Sequence, residues 1–253
     1  AHISVNLFNE YSDYHTRIDF DTVKTGFSGG TGMMTSGLTT PKAVITTAIT
    51  TLVIASGIGI YFAITAHWLI LPIMAVGAFA VVFYTNFLAK HLLGEFFTGL
   101  TLGSLVLVGT ALALTANQHS PVSAFFGWDM FFISIPPGIL TFLLLFLNEF
   151  PDAEADKKGG RYHLVIKLGK RNSAILYNVL LFLSFAIIAI APIAGATSWW
   201  ICLGLLTLPL GIKAGTGAMR NYDNNEAIVP VLGQNVLIVL ATDLLIALGV
   251  FLG

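Results

Sequence analysis

The sequence contains little charge and a single cysteine. Asp, Glu, Lys and Arg make up 10% of the chain, against roughly 25% in soluble domains. Hydrophobic residues account for 56% of the chain, and its mean hydropathy is +0.84. These values exclude an ordinary soluble protein and indicate an integral membrane protein. Because Cys202 is the only cysteine, neither an intrachain disulfide nor a metal cluster of cysteine thiolates can form.

The histidines are too dispersed along the chain to predict a metal site. Six are present, at positions 2, 15, 67, 91, 119 and 163. They lack the clustered spacing of metal-ligating histidines, so a histidine-based metal site is not expected. The formal net charge is -1, and no nucleic-acid partner is expected. The positions of the charges are more informative than their sum.

Long apolar runs are the most abundant feature of the chain. A membrane-spanning helix needs about 20 residues. Seven runs reach that length, at residues 42–66, 68–89, 95–116, 125–150, 174–194, 197–219 and 227–252. The runs are continuous and lack the alternation of a membrane β-barrel. The sequence therefore predicts an all-α fold, a polytopic bundle of transmembrane helices embedded in membrane lipid.

The first residues predict the inner end of a further helix. The chain begins with Ala-His, and only a few apolar residues precede Asn6. Because this is too short for a span, we expect the upstream part of that helix to be absent. A loop at about residues 15–41 follows, with glycines at positions 26, 29, 30, 32 and 37. Such a loop can cradle phosphate through backbone N–H groups, and a flexible connection is an equally good interpretation.

Charged residues gather at the end of the run 125–150. Residues 148–171 read NEFPDAEADKKGGRYHLVIKLGKR, four acids followed by six bases. If the preceding helix continues far enough, Asn148, Asp152 and Asp156 are four residues apart and share one face. Two carboxylates one turn apart can hold Mg²⁺ through oxygen ligands, and bases such as Lys157 can bind a phosphate's remaining charge. Alternatively, the bases only mark the cytoplasmic side of the membrane.

A second copy of the acidic pattern lies near the start of the chain. Residues 9–13 read NEYSD and residues 148–152 read NEFPD. Both copies contain Asn, Glu, an aromatic residue, any residue and Asp. Another acid follows each copy, Asp19 after the first and Asp156 after the second. The repetition indicates a duplicated unit.

The distribution of bases predicts the orientation of the two motifs. All 12 Lys and Arg residues fall in alternate connections, and the connections near residues 67, 120 and 196 contain none. The positive-inside rule therefore places both acidic motifs on the cytoplasmic side. The two helices that carry the motifs then run in the same direction, as parallel repeats of four helices each. Facing acidic clusters repel unless cations lie between them, so this arrangement predicts bound metal and a phosphorylated ligand.

With these motifs, the chain resembles the UbiA superfamily of intramembrane prenyltransferases, and within it the menaquinone-pathway type that prenylates dihydroxynaphthoate. The resemblance covers nearly the whole chain. It rests on Asn9-Glu10-Tyr11-Ser12-Asp13 with Asp19, SGGTG at 28–32, Tyr84-Thr85, Leu93-Gly94-Glu95, and Asn148 to Gly169 with Asp152, Asp156, Gly160-Arg161 and Leu168-Gly169. Members of the family have nine helices. The resemblance thus implies that residues 1–253 form a single domain of this type, without helix 1 and most of helix 2.

The family resemblance also implies a reaction and a set of site residues. In such enzymes Mg²⁺ bridges the two Asp motifs to the diphosphate of a polyprenyl donor, whose tail lies in an apolar channel, and an aromatic acceptor is prenylated. The implied catalytic residues are Asp13, Asp152 and Asp156. The implied metal-binding residues are Asn9, Glu10, Asp13, Asp19, Asp152 and Asp156. The implied substrate-binding residues are Asn6, Tyr84, Lys90, Asn148, Lys157 and Arg161. The resemblance further implies a prokaryotic cytoplasmic membrane with the active site on the cytoplasmic side.

Several positions depart from the family pattern. Glu10 stands where Asp is usual, Gly32 where an Arg is usual, and His163 where a Thr is usual. These departures leave other acceptors open, namely homogentisate, hydroxybenzoate or a glycerol phosphate lipid precursor. A membrane transporter is the alternative outside the enzymes, because transporters also contain intramembrane acids and internal repeats. The grouping of the acids at one rim with bases favours the enzyme. Asp243 in the last run is either functional or a helix–helix contact, and the oligomeric state is not predicted.

Overall fold

The computed structural model describes residues 1–21, 30–125 and 127–253, and these contain helices without any strand. The α-helices are α1 (His2–His15), α2 (Ile18–Asp21), α3 (Pro41–Thr65), α4 (Ile70–Phe83), α5 (Gly94–Thr98), α6 (Leu105–Thr115), α7 (Trp128–Lys158), α8 (Leu164–Leu168), α9 (Lys170–Ile193), α10 (Leu208–Asn221) and α11 (Val229–Leu252). Shorter 3₁₀ segments are Ala89–His91, Val122–Phe125 and Trp199–Thr207, and π-helical segments are Tyr84–Leu88 and Gly99–Ser104. The prediction of an all-α fold is confirmed.

Six helices of the described residues are long and apolar enough to cross a membrane. They are Pro41–Thr65, Gly94–Thr115, Trp128–Lys158, Lys170–Ile193, Trp199–Asn221 and Val229–Leu252. Each overlaps a predicted span, so the prediction of a multi-pass membrane protein is confirmed. The predicted span 68–89 differs, because its α-helical part, α4, has only 14 residues. The π-helical segment Tyr84–Leu88 directly follows α4, so the chain stays helical from Ile70 to Leu88.

The two π-helical segments lie on neighbouring parts of the chain and widen the helix locally. The N–H of Ala89 bonds to the carbonyl of Tyr84, and the N–H of Leu105 bonds to that of Leu100, five residues earlier in each case. Such turns push one residue out of the regular helix and are frequent at functional sites. Both segments contribute residues to the main cavity described below.

Helix α7 is the central element of the bundle. Its 31 residues correspond to about 46 Å at 1.5 Å per residue, longer than the roughly 30 Å hydrocarbon core of a membrane. Its C-terminal end therefore extends to the charged residues, and the expectation that this helix reaches Asp156 is confirmed. Glycines allow a close approach on one side, where a Cβ on Gly103 would lie 2.6 Å from Cα of Gly138. The π-helical segment Gly99–Ser104 consequently packs directly against α7.

The main hydrophobic core lies between α7, α9, α11 and the segment Trp199–Thr207. A polar contact joins three of these helices inside the core. The side chain of Asn235 donates to the carbonyl of Leu143, 3.1 Å away, and accepts from the Tyr177 hydroxyl, 2.9 Å away. Asn235 is fully buried, so it holds helices together, which is the role that polar side chains commonly have between transmembrane helices.

Helix α1 lies at the edge of this bundle and is far less buried than α7. Only Ser4 and Asp13 are buried in it. The hydroxyl of Ser4 donates to the carbonyl of Ala48, 2.8 Å away, and so fastens α1 to α3. The C-terminal ends of α1 and α7 meet at one cavity, as the shared acidic pattern predicts. The arrangement into two four-helix repeats remains a prediction.

Candidate active site

A cavity of about 590 Å³ lies between the C-terminal ends of α1 and α7. Nine of the twelve predicted site residues line it: Asn6, Asn9, Asp13, Asp19, Tyr84, Asn148, Asp152, Asp156 and Arg161. Apolar side chains from several helical segments complete the wall, among them Val81, Phe97, Leu102, Leu145 and Leu240. The cavity therefore combines a set of acids and amides with an extensive apolar surface.

The end of α1 presents an amide and a carboxylate that are hydrogen-bonded to each other. The side-chain nitrogen of Asn9 donates to Oδ2 of Asp13, 2.9 Å away. The hydroxyl of Thr85, at the π-helical segment, donates to Oδ1 of Asn9 over 3.3 Å. Asp13 is only 6% exposed, and a carboxylate this buried normally has a charged partner.

The end of α7 presents the second set of oxygen atoms on one helix face. Asn148, Asp152 and Asp156 follow one another at intervals of one turn and all line the cavity. Asp156 is only 4% exposed. Oδ1 of Asn148 is buried and has no hydrogen-bond partner in the described part of the chain. A buried acceptor of this kind favours a site for a cation or a donor ligand.

Arg161 joins the two acidic ends. Its guanidinium contacts Asp13 directly, donates to Oδ1 of Asn9 over 3.0 Å and lies 3.5 Å from Oδ1 of Asp156. Its backbone N–H donates to the carbonyl of Asp156, which holds the turn after α7 in place. Burial disfavours the charged guanidinium, but Asp13 and Asp156 outweigh this effect and raise the pKa of Arg161. Arg161 thus places a positive charge between the two acidic helix ends.

The donor atoms at the two helix ends fit a hard divalent cation. Asn9, Asp13, Asp152 and Asp156 offer carboxylate and amide oxygens, the ligands that Mg²⁺ prefers. The unpartnered Oδ1 of Asn148 adds another oxygen on the same side of the cavity. The residues present are therefore able to hold Mg²⁺, although the guanidinium of Arg161 contacts several of the same oxygens.

Three predicted site residues do not line the cavity formed by the described residues. Lys90 and Lys157 lie on the exposed surface. Glu10 is turned toward the loop after α2, where it accepts hydrogen bonds from the backbone N–H and the hydroxyl of Thr31. Glu10 follows the cavity-lining Asn6 by one turn, so it lies at the margin of the cavity side of α1.

The glycine-rich loop reaches the site at its C-terminal part. Gly30 has φ +67°, and a Cβ there would lie 2.7 Å from Oδ1 of Asp19. Both Gly30 and Asp19 line the cavity, so a glycine is required where the loop passes this carboxylate. Gly26 and Gly29, also part of the predicted loop, lie outside the described residues.

The predicted set of site residues does not include three buried residues that adjoin Asp156. Nδ1 of His163 lies 3.2 Å from Oε2 of Glu149, and Nε2 lies 3.3 Å from Oδ2 of Asp156. Oε1 of Glu95 accepts the backbone N–H of Leu164 over 2.8 Å. Burial favours the neutral imidazole, but interaction with Asp156 and Glu149 raises the pKa of His163 to about 10.

These three residues were missed because they are remote from one another in the sequence. Glu95, Glu149 and His163 come from α5, α7 and the turn before α8, so no local spacing connects them. The available signal was a carboxylate at the start of an apolar run, since intramembrane acids are costly and usually have a partner or a function. Asp243 of α11 gives the same signal, and it also lines the cavity.

Comparison with known proteins agrees with this geometry. The sequence model of the UbiA prenyltransferase family matches residues 1–232. The chain is 28% identical to the 1,4-dihydroxy-2-naphthoate octaprenyltransferase of Bacillus subtilis (strain 168) over 222 residues, which is 87% of this chain and 68% of the relative. It is 27% identical to the Mycobacterium tuberculosis protein of that name over 256 residues, 97% of this chain and 79% of the relative.

The Escherichia coli (strain K12) protein of the same name is 30% identical over 188 residues, which is 65% of this chain and 61% of that relative. No solved structure gives a significant match. The family match covers more than nine-tenths of the chain and includes both acidic motifs, α1 and α7. The chain is therefore an integral membrane prenyltransferase that belongs to the UbiA prenyltransferase family.

Proposed function

We propose that this enzyme transfers a polyprenyl group from an allylic polyprenyl diphosphate to 1,4-dihydroxy-2-naphthoate in a Mg²⁺-dependent reaction that releases diphosphate. The observation that carries the proposal is the meeting of the two Asp motifs in one cavity that is otherwise largely apolar. A polyprenyl diphosphate likewise has a polar part and an apolar part, namely a charged diphosphate and a hydrocarbon tail. The acceptor is proposed because the relatives are named 1,4-dihydroxy-2-naphthoate octaprenyltransferases.

The acids supply the binding site for the metal. Asp13 from α1 and Asp152 and Asp156 from α7 would hold the ions, with support from Asn9 and Asp19. When bound, Mg²⁺ supplies Lewis-acid stabilisation of the departing diphosphate. Two motifs on separate helices can fix the position of a diphosphate relative to the rest of the cavity, and such positioning contributes to the rate.

Arg161 would bind the diphosphate itself. Among the described residues it is the only Lys or Arg in the cavity wall. Its guanidinium provides several N–H donors that match phosphate oxygens, so it can exchange its carboxylate partners for the substrate. The charge that develops on the leaving diphosphate is then stabilised by a donor already held in position.

The apolar walls have a chemical role as well as a binding role. As the bond between the allylic carbon and the diphosphate oxygen breaks, its electron pair leaves with the diphosphate, and an electron-rich carbon of the acceptor forms the new bond with a pair of its ring electrons. The ring regains its aromaticity when that carbon releases its proton or, if it carries the carboxylate, CO₂. Water would compete with that carbon for the allylic cation. Phe97, Leu102, Leu144 and Leu145 line the cavity and exclude water from its apolar part. Asn6 and Tyr84 are proposed to contact substrate at the polar part.

The test is a transfer assay with the protein in detergent or nanodiscs. A radiolabelled polyprenyl diphosphate is incubated with 1,4-dihydroxy-2-naphthoate, homogentisate, hydroxybenzoate or a glycerol phosphate, with Mg²⁺ present or chelated. The proposal expects transfer to the naphthoate that stops on chelation and returns when Mg²⁺ is restored. Transfer to another acceptor would correct the substrate. Activity that persists after chelation would remove the metal from the proposal.

Orientation requires a separate measurement. We propose that the cavity opens on the cytoplasmic side, because the bases flank the acidic ends of α1 and α7. Cysteine introduced at the exposed Lys157, in a variant without Cys202, should react with a membrane-impermeant thiol reagent only when the cytoplasmic face is accessible. Labelling from the opposite face alone would reverse the orientation.

A further inference from the structure

We propose that Glu95, Glu149 and His163 form a second metal site, for a divalent ion that accepts nitrogen as well as oxygen ligands, beside the paired Asp motifs. One ligand atom from each residue lies within 4.8 Å of the other two. Ligand atoms about 2.1 Å from one ion lie up to about 4.2 Å apart, so small movements of the side chains close the site. The proposal does not depend on the identity of the prenyl acceptor.

A buried carboxylate oxygen without a hydrogen-bond partner, on Glu95, indicates a missing ligand at this cluster. Glu95 is fully buried and His163 is 2% exposed. Oε2 of Glu95 has no hydrogen-bond partner in the described part of the chain. Oε2 of Glu149 faces Nδ1 of His163 across 3.2 Å. Two adjoining buried carboxylates are costly to keep ionised unless a cation lies between them. A divalent ion balances both charges at once.

The surroundings of His163 are those of a metal-ligating histidine. Nδ1 faces Glu149 across 3.2 Å, and Nε2 faces Oδ2 of Asp156 across 3.3 Å. Metal-bound histidines usually donate the other ring N–H to a carboxylate, which fixes the ring and makes the ligand more basic. With Nδ1 on the ion and Nε2–H directed at Asp156, the second site is connected to the Asp motif of α7.

Glu95 is positioned independently of the ion. Its Oε1 accepts the N–H of Leu164 at the start of α8, which leaves Oε2 directed toward the other two residues. The site therefore draws one ligand from each of three separate segments, α5, α7 and the turn before α8. Binding of an ion would fasten the turn that carries Arg161 to the membrane-spanning helices.

The ligand types select the metal. Imidazole suits zinc and similar ions, whereas carboxylates also suit manganese, so a set of two carboxylates and one imidazole favours Mn²⁺ or Zn²⁺. Mg²⁺ strongly prefers oxygen. The two neighbouring sites should consequently differ in metal preference, with Mg²⁺ at the Asp motifs and the nitrogen-accepting ion at Glu95, Glu149 and His163.

The experiment uses Mn²⁺ as a paramagnetic probe on the chelator-treated, purified protein. One equivalent of Mn²⁺ is added with excess Mg²⁺ to occupy the all-oxygen site, and electron spin echo spectra are searched for a coordinated ¹⁴N. The expected result is one imidazole nitrogen on the bound Mn²⁺. This signal should disappear in His163→Gln, and Glu95→Gln should weaken Mn²⁺ binding at least about tenfold. Added Zn²⁺ should displace the nitrogen-coupled Mn²⁺.

Two control variants separate this site from its neighbours. Asp13→Asn alters the all-oxygen site alone and should leave the nitrogen signal intact. His67→Gln removes another buried histidine, which contacts the carbonyl of Ser120, and should also leave it intact. Thermal unfolding of every variant shows whether it is folded. Bound Mn²⁺ without nitrogen in the folded wild-type protein, a nitrogen signal that survives in His163→Gln, or unchanged Mn²⁺ affinity in Glu95→Gln would overturn the proposal.

Discussion

The ends of α1 and α7 carry the same five-residue pattern but use it differently. In both copies the Asn and Asp line the cavity: Asn9 and Asp13 on one side, Asn148 and Asp152 on the other. The Glu of each copy goes to a different environment. Glu10 bonds to Thr31 of the loop near the surface, whereas the side chain of Glu149 is 12% exposed and faces His163.

The difference follows from where each helix lies in the bundle. Helix α1 is at the edge, so the side of its C-terminal turn away from the cavity meets a loop. Helix α7 packs against several other helices, so Glu149 on its C-terminal part meets protein, while Lys157 in its last turn is exposed. Similar sequences on two helices therefore present the Asn and Asp side chains to the cavity alike, while the two Glu side chains lie in different surroundings. Substitutions at equivalent positions of the two copies should show this contrast.

The largest effect is expected where the two copies agree. Asp13→Ala, Asp152→Ala and Asp156→Ala should each reduce prenyl transfer by about 100-fold to 1,000-fold, because each removes a charge proposed to hold the metal at the leaving group. Turnover is measured with labelled donor, alongside thermal unfolding. Asp129→Ala is the matched control, since Asp129 is an exposed acid in the first turn of α7, at the opposite end. Near-normal turnover in any of the three would remove that residue from the proposed metal site.

The next effect is expected at the arginine that joins the copies. Arg161→Gln should lower kcat/KM for the polyprenyl diphosphate by about 10-fold to 100-fold, the range for loss of a hydrogen bond to a charged group. Arg161→Lys should retain part of the activity, because it keeps the charge while losing the forked geometry. The measurement is a donor titration at saturating acceptor.

Lys157→Gln is the matched control for that experiment. Lys157 lies four residues earlier, but it is exposed and absent from the cavity wall. Because an exposed charge contributes little, its loss should change kcat/KM by less than about threefold. Equal losses in Lys157→Gln and Arg161→Gln would mean that general positive charge at this rim matters and that the position of Arg161 does not.

The two Glu residues should differ in their effect on stability. Glu149→Ala removes the carboxylate beside the buried His163 and should lower the free energy of unfolding by about 1–3 kcal/mol. Glu10→Ala removes contacts to Thr31 near the surface and should stay within about 0.5 kcal/mol. Thermal unfolding followed by tryptophan fluorescence in one detergent compares them. Equal shifts in Tm would show that the two ends are packed alike.

Much of the architecture could be predicted because it depends on local patterns. The apolar runs predicted the spans, and the spacing of Asn148, Asp152 and Asp156 predicted their common face once α7 was long enough. The meeting of the two helix ends was predicted from charge alone, since bases and repeated acids point to one side of the membrane. Each of these signals lies within one helix or in the presence of bases in every second connection between helices. A single sequence is therefore enough to recognise them.

What could not be predicted depends on packing between distant segments. The turn from α4 into a π-helix has no local signature in Tyr84–Leu88. The approach of Glu95 to His163 requires α5 to lie against α7, which close contact through Gly103 and Gly138 permits. The bridge from Arg161 to Asp13 crosses 148 positions of the chain. Periodicity within a segment contains no information about such contacts.

The smallest effect is expected in the glycine-rich loop beside the C-terminal end of α1. Substitutions there test whether the position of this loop matters for prenyl transfer. Gly30→Ala and Gly37→Ala both place a side chain at positive φ, +67° and +74°, and each should cost about 1–2 kcal/mol for that reason. Only Gly30 has a neighbour, Asp19, in the way of a Cβ. Gly30→Ala should therefore displace that carboxylate and slow transfer by up to about tenfold, while Gly37→Ala keeps normal turnover at similar Tm. If both variants retain full activity, the loop encloses the end of α1 without positioning Asp19 for the reaction. The contrast between the C-terminal ends of α1 and α7 would then depend only on the environments of Glu10 and Glu149.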